Sequence, residues 1–158
     1  MTVRDFAAAD LPRVRACFIE LQELERALDP RIPAGASVAD AYMEGLFRRC
    51  EVSAGRLFVA EDEGRVIGFV SVLGACVPDS PDDGSAPFAY VDDLVVLEAY
   101  RRRGVGSALL RRAEAYALAC GRSSLRLRVK GGNQRARAFY ARAGFTDYEV
   151  ELEKQLDD

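Results

Sequence analysis

The sequence predicts a mixed α/β domain, of the α+β or α/β sandwich type, with both antiparallel and parallel strand pairing. The predicted elements follow the order β-α-α-β-β-β-α-β-α-β, which combines hairpins with one strand–helix–strand crossover. The 158 residues suit one domain, which we assign to residues 1–158. Hydrophobic residues make up 49% of the chain and charged residues 30%, as is typical of globular domains.

The N-terminal third is predicted to contain a short strand and two helices. Thr2–Phe6 forms the strand, and Asp10 caps a helix that runs to about Leu28. An apolar stripe marks this helix, at Val14, Phe18, Leu21 and Leu28. Ser37 followed by Asp40 resembles a capping box and opens the second helix. Its apolar side carries Val38, Tyr42, Leu46 and Cys50.

The middle of the chain is predicted to form a hairpin, a loop and a long strand. Arg56–Glu61 and Val66–Leu73 are rich in Val, Ile and Phe, and an acidic turn joins them. Val77–Pro87 contains three prolines and three aspartates and is predicted to be an exposed loop. Phe88–Leu97 is the third long strand.

The last third is predicted to alternate helix and strand. The helix Gly106–Cys120 is amphipathic, and Gly121 ends it. Leu125–Val129 is a strand, Asn133–Ala143 a helix and Phe145–Leu152 a final strand. The sequence therefore predicts six strands and four helices.

Composition excludes several classes of function. Histidine is absent, which excludes His-based triads, His metal sites and His proton shuttles. A net charge of −3 argues against a strongly basic nucleic-acid binder, and no apolar run is long enough for a membrane span. The cysteines form no CxxC pair, so we expect no metal site and reduced thiols in a cytoplasmic protein; they are Cys17, Cys50, Cys76 and Cys120.

The most informative segment joins the third long strand to the following helix. Its residues are Arg101-Arg102-Arg103-Gly104-Val105-Gly106-Ser107. A helix N-terminus offers unpaired N–H groups, and glycines let a ligand approach the backbone closely. Three arginines add positive charge. The segment has no Gly-Lys-Ser/Thr of a Walker loop and no third glycine of a dinucleotide fingerprint, but it predicts a phosphate or pyrophosphate site.

Two motifs together resemble the GNAT superfamily of N-acetyltransferases. Arg101-x-x-Gly104-x-Gly106 is similar to the family's Arg/Gln-x-x-Gly-x-Gly/Ala motif. The run Asn133-x-x-Ala136-x-x-Phe139-Tyr140-x-x-x-Gly144-Phe145 is similar to its second signature. The resemblance covers about Val3 to Glu151. It implies a mostly antiparallel mixed sheet of six to seven strands flanked by about four helices, with a splayed fourth strand.

The resemblance also implies acetyl-coenzyme A as co-substrate. The backbone of the loop from Arg101 to Ser107 would then wrap the pyrophosphate, with Arg102, Arg103, Gly104, Val105 and Gly106 in the site. Exposed backbone groups of the splayed strand, at Leu94, Val95 and Val96, would pair with the pantetheine arm like an added strand. Asn133 would hold the pantetheine through its amide, and the same side chain is also a candidate helix N-cap.

Tyr140 matches the family's general acid. Attack of an amine on a thioester gives a tetrahedral intermediate, and its collapse expels coenzyme A thiolate, which benefits from a proton donor. A phenol is protonated at neutral pH and can donate that proton. Packing alone is the alternative role for this aromatic ring.

Asp92 and Asp93 are the candidate groups for the acceptor amine. A charged pair is costly in a strand otherwise made of Phe, Tyr, Val and Leu unless it is satisfied. Strict alternation places Tyr90, Asp92 and Leu94 on one face and Asp93 on the other, although a bulge would change this phase. The pair also resembles the Glu-Asp pair of diamine and polyamine acetyltransferases. Either aspartate could instead be structural.

The sequence is thus interpreted as a cytoplasmic N-acetyltransferase that transfers an acetyl group directly to a primary amine. A small cationic acceptor is favoured by the aspartate pair and by the acidic loop Asp79-Asp82-Asp83. A peptide N-terminus or protein lysine is one alternative acceptor, and a non-catalytic coenzyme A sensor is another class of function. We expect a homodimer, and neither nucleic acid nor membrane as partner.

Overall fold

The computed structural model describes residues 1–156, which form two compact units. The first, Met1–Arg128, contains a five-stranded sheet and three helices. Its elements are β1 (Thr2–Asp5), α1 (Leu11–Leu28), α2 (Gly35–Val52), β2 (Gly55–Asp62), β3 (Arg65–Cys76), β4 (Phe88–Val96), α3 (Val105–Ala119) and β5 (Leu125–Leu127). The second unit begins at Val129 and contains α4 (Gln134–Arg142).

The strands lie in the order in which they occur along the chain, β1-β2-β3-β4-β5. The first four pair antiparallel, and β4 pairs parallel with β5 after the crossover through α3. The predicted mixed, mostly antiparallel sheet is confirmed. β3 is buried from Val66 to Gly74 and β2 over its middle, Leu57 to Ala60, as expected of strands covered on both faces.

Helices cover both faces of this sheet. On one face, Leu57, Phe69 and Val95 join a core cluster with residues of α1 and α2. On the other face, Phe58 contacts Tyr116 of α3, with 6.0 Å between the ring centroids. The alternation of strand residues between the two faces thus builds one apolar layer under α1 and α2 and a second under α3.

The entry into α2 differs from the prediction. The helix begins at Gly35, with Ala34 as N-cap, so the predicted capping box of Ser37 and Asp40 is wrong. The backbone N–H of Gly35 instead donates to the carboxylate of Glu23 in α1, 2.7 Å away. Asp40 forms an ion pair with Arg15 of α1. The start of α2 is therefore capped by a contact with α1 and not by a local capping box.

Between α4 and the end of the described chain there is no strand, so the predicted strand at residues 145–152 is not confirmed. Within residues 1–156 the sheet has five strands, fewer than the six to seven expected, while all four helices are present. The sequence alternates polar and apolar residues there, but a strand forms only where a neighbour completes its hydrogen bonds. Its apolar side chains are exposed, at Tyr148, Val150 and Leu152.

No helix within residues 1–156 is long and apolar enough to cross a membrane. In the same residues no group of three or more Cys, Asp or Glu side chains is arranged to hold a metal ion.

Candidate functional site

A β-bulge at Asp92 organises the candidate acceptor site. Ser71 of β3 pairs with Asp93, but the next residue, Val72, pairs with Val91, so Asp92 is an extra residue on β4. A bulge of this kind breaks the alternation of the strand. As a result both carboxylates reach α2, Asp92 through Arg49 and Asp93 through Tyr42. Strict alternation, which would point Asp93 away from Asp92, therefore does not hold here, and the bulge changes the phase.

Asp93 is enclosed by hydrogen-bond donors. The hydroxyl of Tyr42 donates to its Oδ1 at 2.8 Å and that of Ser71 to its Oδ2 at 3.0 Å. The backbone N–H of Asp93 in turn donates to the Ser71 hydroxyl. Burial, helped by the nearby charge of Asp92, raises the pKa of Asp93 to about 6, although both hydroxyl donors act in the opposite direction. Hydrogen bonds from α2 and β3 therefore fix the Asp93 carboxylate inside the fold.

Asp92 lies at the edge of the same cluster and is more accessible. Its Oδ2 accepts a hydrogen bond from the Nε of Arg49 at 2.7 Å, and its side chain is 16% exposed. The guanidinium of Arg49 also lies over the ring of Tyr42, 5.2 Å from its centroid. Tyr42 stacks in turn on Phe18 of α1, at 4.0 Å. Both helices therefore hold this cluster in place over the bulge.

Three members of this cluster were not singled out from the sequence as site residues. Tyr42 had been assigned only to the apolar side of its helix, and Ser71 lies inside a strand of apolar residues. Arg49 is one of many arginines in the chain. The aspartates are 43 and 51 residues away from their partners on α2, so no local pattern connects them.

The loop before α3 has the backbone geometry expected of an anion site. A short 3-10 helix, Glu98–Tyr100, leads into it, and Gly104 forms the N-cap of α3 with φ of 78°. That left-handed conformation favours glycine. The first helical bond of α3 runs from the N–H of Ala108 to the carbonyl of Gly104. The N–H groups of Val105, Gly106 and Ser107 precede it and belong to the unpaired first turn.

The three arginines of this loop have different surroundings. Arg101 is half-buried, and its Nε donates to the Val96 carbonyl at 2.7 Å while an Nη contacts Glu20. Arg101 therefore ties the loop to the end of β4. Arg102 and Arg103 are exposed, and the guanidinium of Arg103 lies 5.5 Å from the centre of the Tyr100 ring.

Among residues 1–156, no strand pairs with the second half of β4 on the side of β5. Pairing with β5 covers only Ala89, Tyr90 and Val91, whereas pairing with β3 continues to Val96. Leu94 and Val95 lie within this open stretch. The Val96 carbonyl already accepts a hydrogen bond from Arg101. The N–H of Val96 and the backbone groups of Leu94 are therefore left to pair with an added strand.

Asn133 and Tyr140 belong to the second unit. The Asn133 side chain accepts a hydrogen bond from the N–H of Ala136 at 3.0 Å, so its predicted role as helix N-cap is confirmed. Tyr140 is half-buried, and its ring packs edge-on against Phe139 and Phe145, at 5.2 and 5.6 Å. The acidic residues Asp79, Asp82 and Asp83 lie in an exposed loop of the first unit.

Comparison with known proteins gives one consistent family. The sequence model of the acetyltransferase (GNAT) family matches residues 20–145. An uncharacterised N-acetyltransferase of Methanocaldococcus jannaschii is 32% identical over 109 residues, which are 69% of this chain. They span only 46% of that relative. The thialysine N-epsilon-acetyltransferase of Bos taurus is 29% identical over 147 residues, covering 92% of this chain and 84% of that one.

Solved structures show the same fold. A mutant of the BH1408 protein from Bacillus halodurans superposes with a TM-score of 0.82 over 99% of both chains, at 20% sequence identity. This likeness shows the fold alone, an α/β fold with a mixed sheet.

Proposed function

The chain belongs to the acetyltransferase (GNAT) family and is an acyltransferase, and from this premise we propose that it transfers an acetyl group from acetyl-coenzyme A directly to the primary amine of a small cationic acceptor. The observation that carries the choice of acceptor is the half-buried carboxylate of Asp92 at the β4 bulge. A carboxylate in such a place attracts an ammonium group. The bovine relative named for thialysine supports a small acceptor.

In the proposed reaction Asp92 binds the acceptor ammonium and takes its proton, directly or through water. The neutral amine nitrogen then forms a bond to the acetyl carbonyl carbon, and collapse of the tetrahedral intermediate breaks the carbon–sulfur bond. Tyr140 donates a proton to the leaving sulfur. The nitrogen loses its second proton to the Tyr140 phenolate, and the proton on Asp92 is released to solvent. The products are the N-acetylated amine, the coenzyme A thiol and one proton, so atoms and charge balance.

Direct transfer is favoured over an acetyl-cysteine intermediate by the state of the thiols. Burial and the charge of Asp92 raise the pKa of Cys50 to about 11 and also raise the pKa of Cys76. Burial likewise raises the pKa of Cys17 to about 12. Because the thiolate is the nucleophilic form, these cysteines are poor nucleophiles at neutral pH.

For the donor, the residues of this chain fit a pyrophosphate and a pantetheine arm. The first-turn N–H groups of α3 and the exposed Arg102 and Arg103 would hold the pyrophosphate. The open edge of β4, at Leu94 and Val96, would accept the pantetheine as an added strand. The amide of Asn133 can contribute, although its oxygen already caps α4.

The test is a thioester-cleavage assay with acetyl-coenzyme A and a panel of amines, with acetylated products identified by mass spectrometry. We expect small cationic primary amines to be acetylated. Acetylation of peptide N-termini or protein lysines alone would contradict the small-molecule proposal.

We also place the enzyme in the cytoplasm, a proposal supported by its four free cysteines.

A further inference from the structure

A cavity beside the candidate acceptor site carries positive charge. It is open to solvent, has a volume of about 310 Å³ and is lined by Gly45, Arg48, Arg49, Val52 and Ser53. Two of these five residues are arginines, and none is acidic. Arg49 is also the partner of Asp92, so one side chain connects the wall of the cavity to the candidate amine-binding carboxylate.

The guanidinium of Arg49 is held in a fixed orientation. Asp92 accepts from its Nε, and the ring of Tyr42 lies beneath it. A side-chain carbon on Gly45 would come within 3.2 Å of its Nη1, so the absence of that carbon leaves room for this arrangement. The Nη groups of Arg49 form no hydrogen bond within the described chain. They are therefore available to an anion in the cavity.

Arg48 adds a second cation on the same wall. It is exposed and forms no hydrogen bond or ion pair among residues 1–156, although Glu44 and Glu51 lie one turn away on either side of it in α2. Two guanidinium groups in one cavity favour a planar anion, because each can donate two parallel hydrogen bonds to a carboxylate.

We propose that the acceptor is a zwitterion, whose amine binds at Asp92 and whose carboxylate binds in this cavity between Arg48 and Arg49. This inference rests on the proposed function and names its substrate class. The site presents a negative group followed by two positive ones, which complements an ammonium joined to a carboxylate by a short chain. A diamine fits worse, because its second ammonium would meet the guanidinium groups of Arg48 and Arg49.

The experiment compares small-molecule acceptors that carry the same primary amine and differ only in the group at the other end of their carbon chain. The acceptors are 5-aminopentanoate, 5-aminopentanamide and 1,5-diaminopentane, each assayed with the full-length protein and acetyl-coenzyme A. We expect kcat/KM for the acid to exceed that for the amide and the diamine by about tenfold or more, the scale of a hydrogen bond to a charged group. In Arg48→Gln the acid-to-amide ratio should fall towards one.

Arg111→Gln is the matched control. Arg111 is also exposed and unpaired among the described residues, but it lies on α3, which packs on the other face of the sheet. It should keep the wild-type acid-to-amide ratio. A ratio near one in the wild type, or one that survives Arg48→Gln, excludes the anionic subsite while leaving the proposed amine acetylation intact.

Calorimetry separates failure of the subsite from failure of the proposed function. If no amine is acetylated, the proposed function fails, and binding of the acid and the amide in the presence of coenzyme A then decides the subsite. Tighter binding of the acid by the wild type, lost in Arg48→Gln, supports the anionic subsite. Equal binding of both compounds by the wild type excludes it.

Discussion

Asp92 and Asp93 are adjacent in sequence, yet they differ in their access to an acceptor. Asp93 is 6% exposed and is hydrogen-bonded to Tyr42 and Ser71, whereas the Asp92 carboxylate accepts a hydrogen bond from Arg49 at the edge of the cluster. Asp92→Asn keeps the shape of the side chain but removes its charge. We expect a higher KM for the acceptor and a pH–rate profile shifted to higher pH, where more of the amine is already neutral. Steady-state kinetics across pH measure both effects.

The same measurements can contradict the assignment of Asp92 as the amine-binding carboxylate. If Asp93→Asn changes the acceptor KM and the pH profile while Asp92→Asn leaves both unchanged, the roles of the two aspartates are reversed. If neither variant changes them, the aspartates are structural and the cationic-acceptor proposal loses its main support.

Asp93 should make stability depend on pH. Its pKa of about 6 in the fold lies above that of an unfolded aspartate, so between about pH 4 and 6 the folded state binds more protons and its stability falls as pH rises. Asp93→Asn removes this contribution. Relative to wild type, the variant should therefore gain about 2 kcal/mol in free energy of unfolding between pH 4 and 7, since one pKa unit corresponds to about 1.4 kcal/mol.

Urea unfolding at the two pH values measures this difference. Asp83→Asn is the control, because it removes one carboxylate from an exposed loop away from the cluster. A wild-type-to-variant difference that is independent of pH would show that Asp93 does not titrate in this range.

Tyr140 is proposed as the general acid, so its hydroxyl should matter more than its ring. Tyr140→Phe keeps the edge-on packing against Phe139 and Phe145. We expect kcat to fall by at least about 10²-fold with little change in acetyl-coenzyme A affinity, the typical scale of a catalytic proton. Tyr148→Phe, in an exposed position of the same unit, should leave kcat unchanged. A small loss in Tyr140→Phe would assign that tyrosine to packing.

At the scale of elements, the two ends of α3 offer a matched pair of glycines. Gly104 and Gly121 both have positive φ, 78° and 72°, and neither has an atom within 4 Å of the position of an added Cβ. Gly104→Val should weaken acetyl-coenzyme A binding by more than about 2 kcal/mol, because losing buried donors costs about 1–3 kcal/mol each. Gly121→Val introduces similar backbone strain at the C-terminal end of α3, and this variant should bind acetyl-coenzyme A with wild-type affinity.

Calorimetry with acetyl-coenzyme A, together with thermal unfolding of both variants, distinguishes the two effects. If a folded Gly104→Val variant binds acetyl-coenzyme A as tightly as the wild type, the proposal that the pyrophosphate binds at the start of α3 is wrong.

Most elements of the first unit could be predicted from the sequence because their signals are local. Apolar periodicity identified α1 and α3, and the acidic turn identified the hairpin of β2 and β3. The bulge at Asp92 could not be predicted, because it depends on the register between β4 and β3. The same holds for Glu23 as the cap of α2 and for Arg49 as the partner of Asp92. Each depends on how distant segments pack.

At the scale of the whole molecule, we propose a homodimer. The segment after α4 alternates polar and apolar residues and carries exposed apolar side chains, at Tyr148, Val150 and Leu152. Such a segment can add to the sheet of another chain. Analytical ultracentrifugation at micromolar concentration should give a species of twice the 17.3 kDa chain mass. A 17.3 kDa species would contradict the dimer, and Leu152→Lys should weaken a dimer formed through this segment.

The bulge in β4 makes the aspartate pair depend on the length of the strand and not only on its composition. Deleting Asp92 would make the register regular, with Ser71 opposite Asp93 and Val72 opposite Val91, and would leave every other strand residue on its present face. Such a chain could keep the whole sheet and its apolar layers and lose only the acceptor carboxylate. A single codon deletion would thus separate folding from acceptor recognition. Related chains can therefore be sorted by counting residues between the positions of Val91 and Leu94, before any side chains are compared.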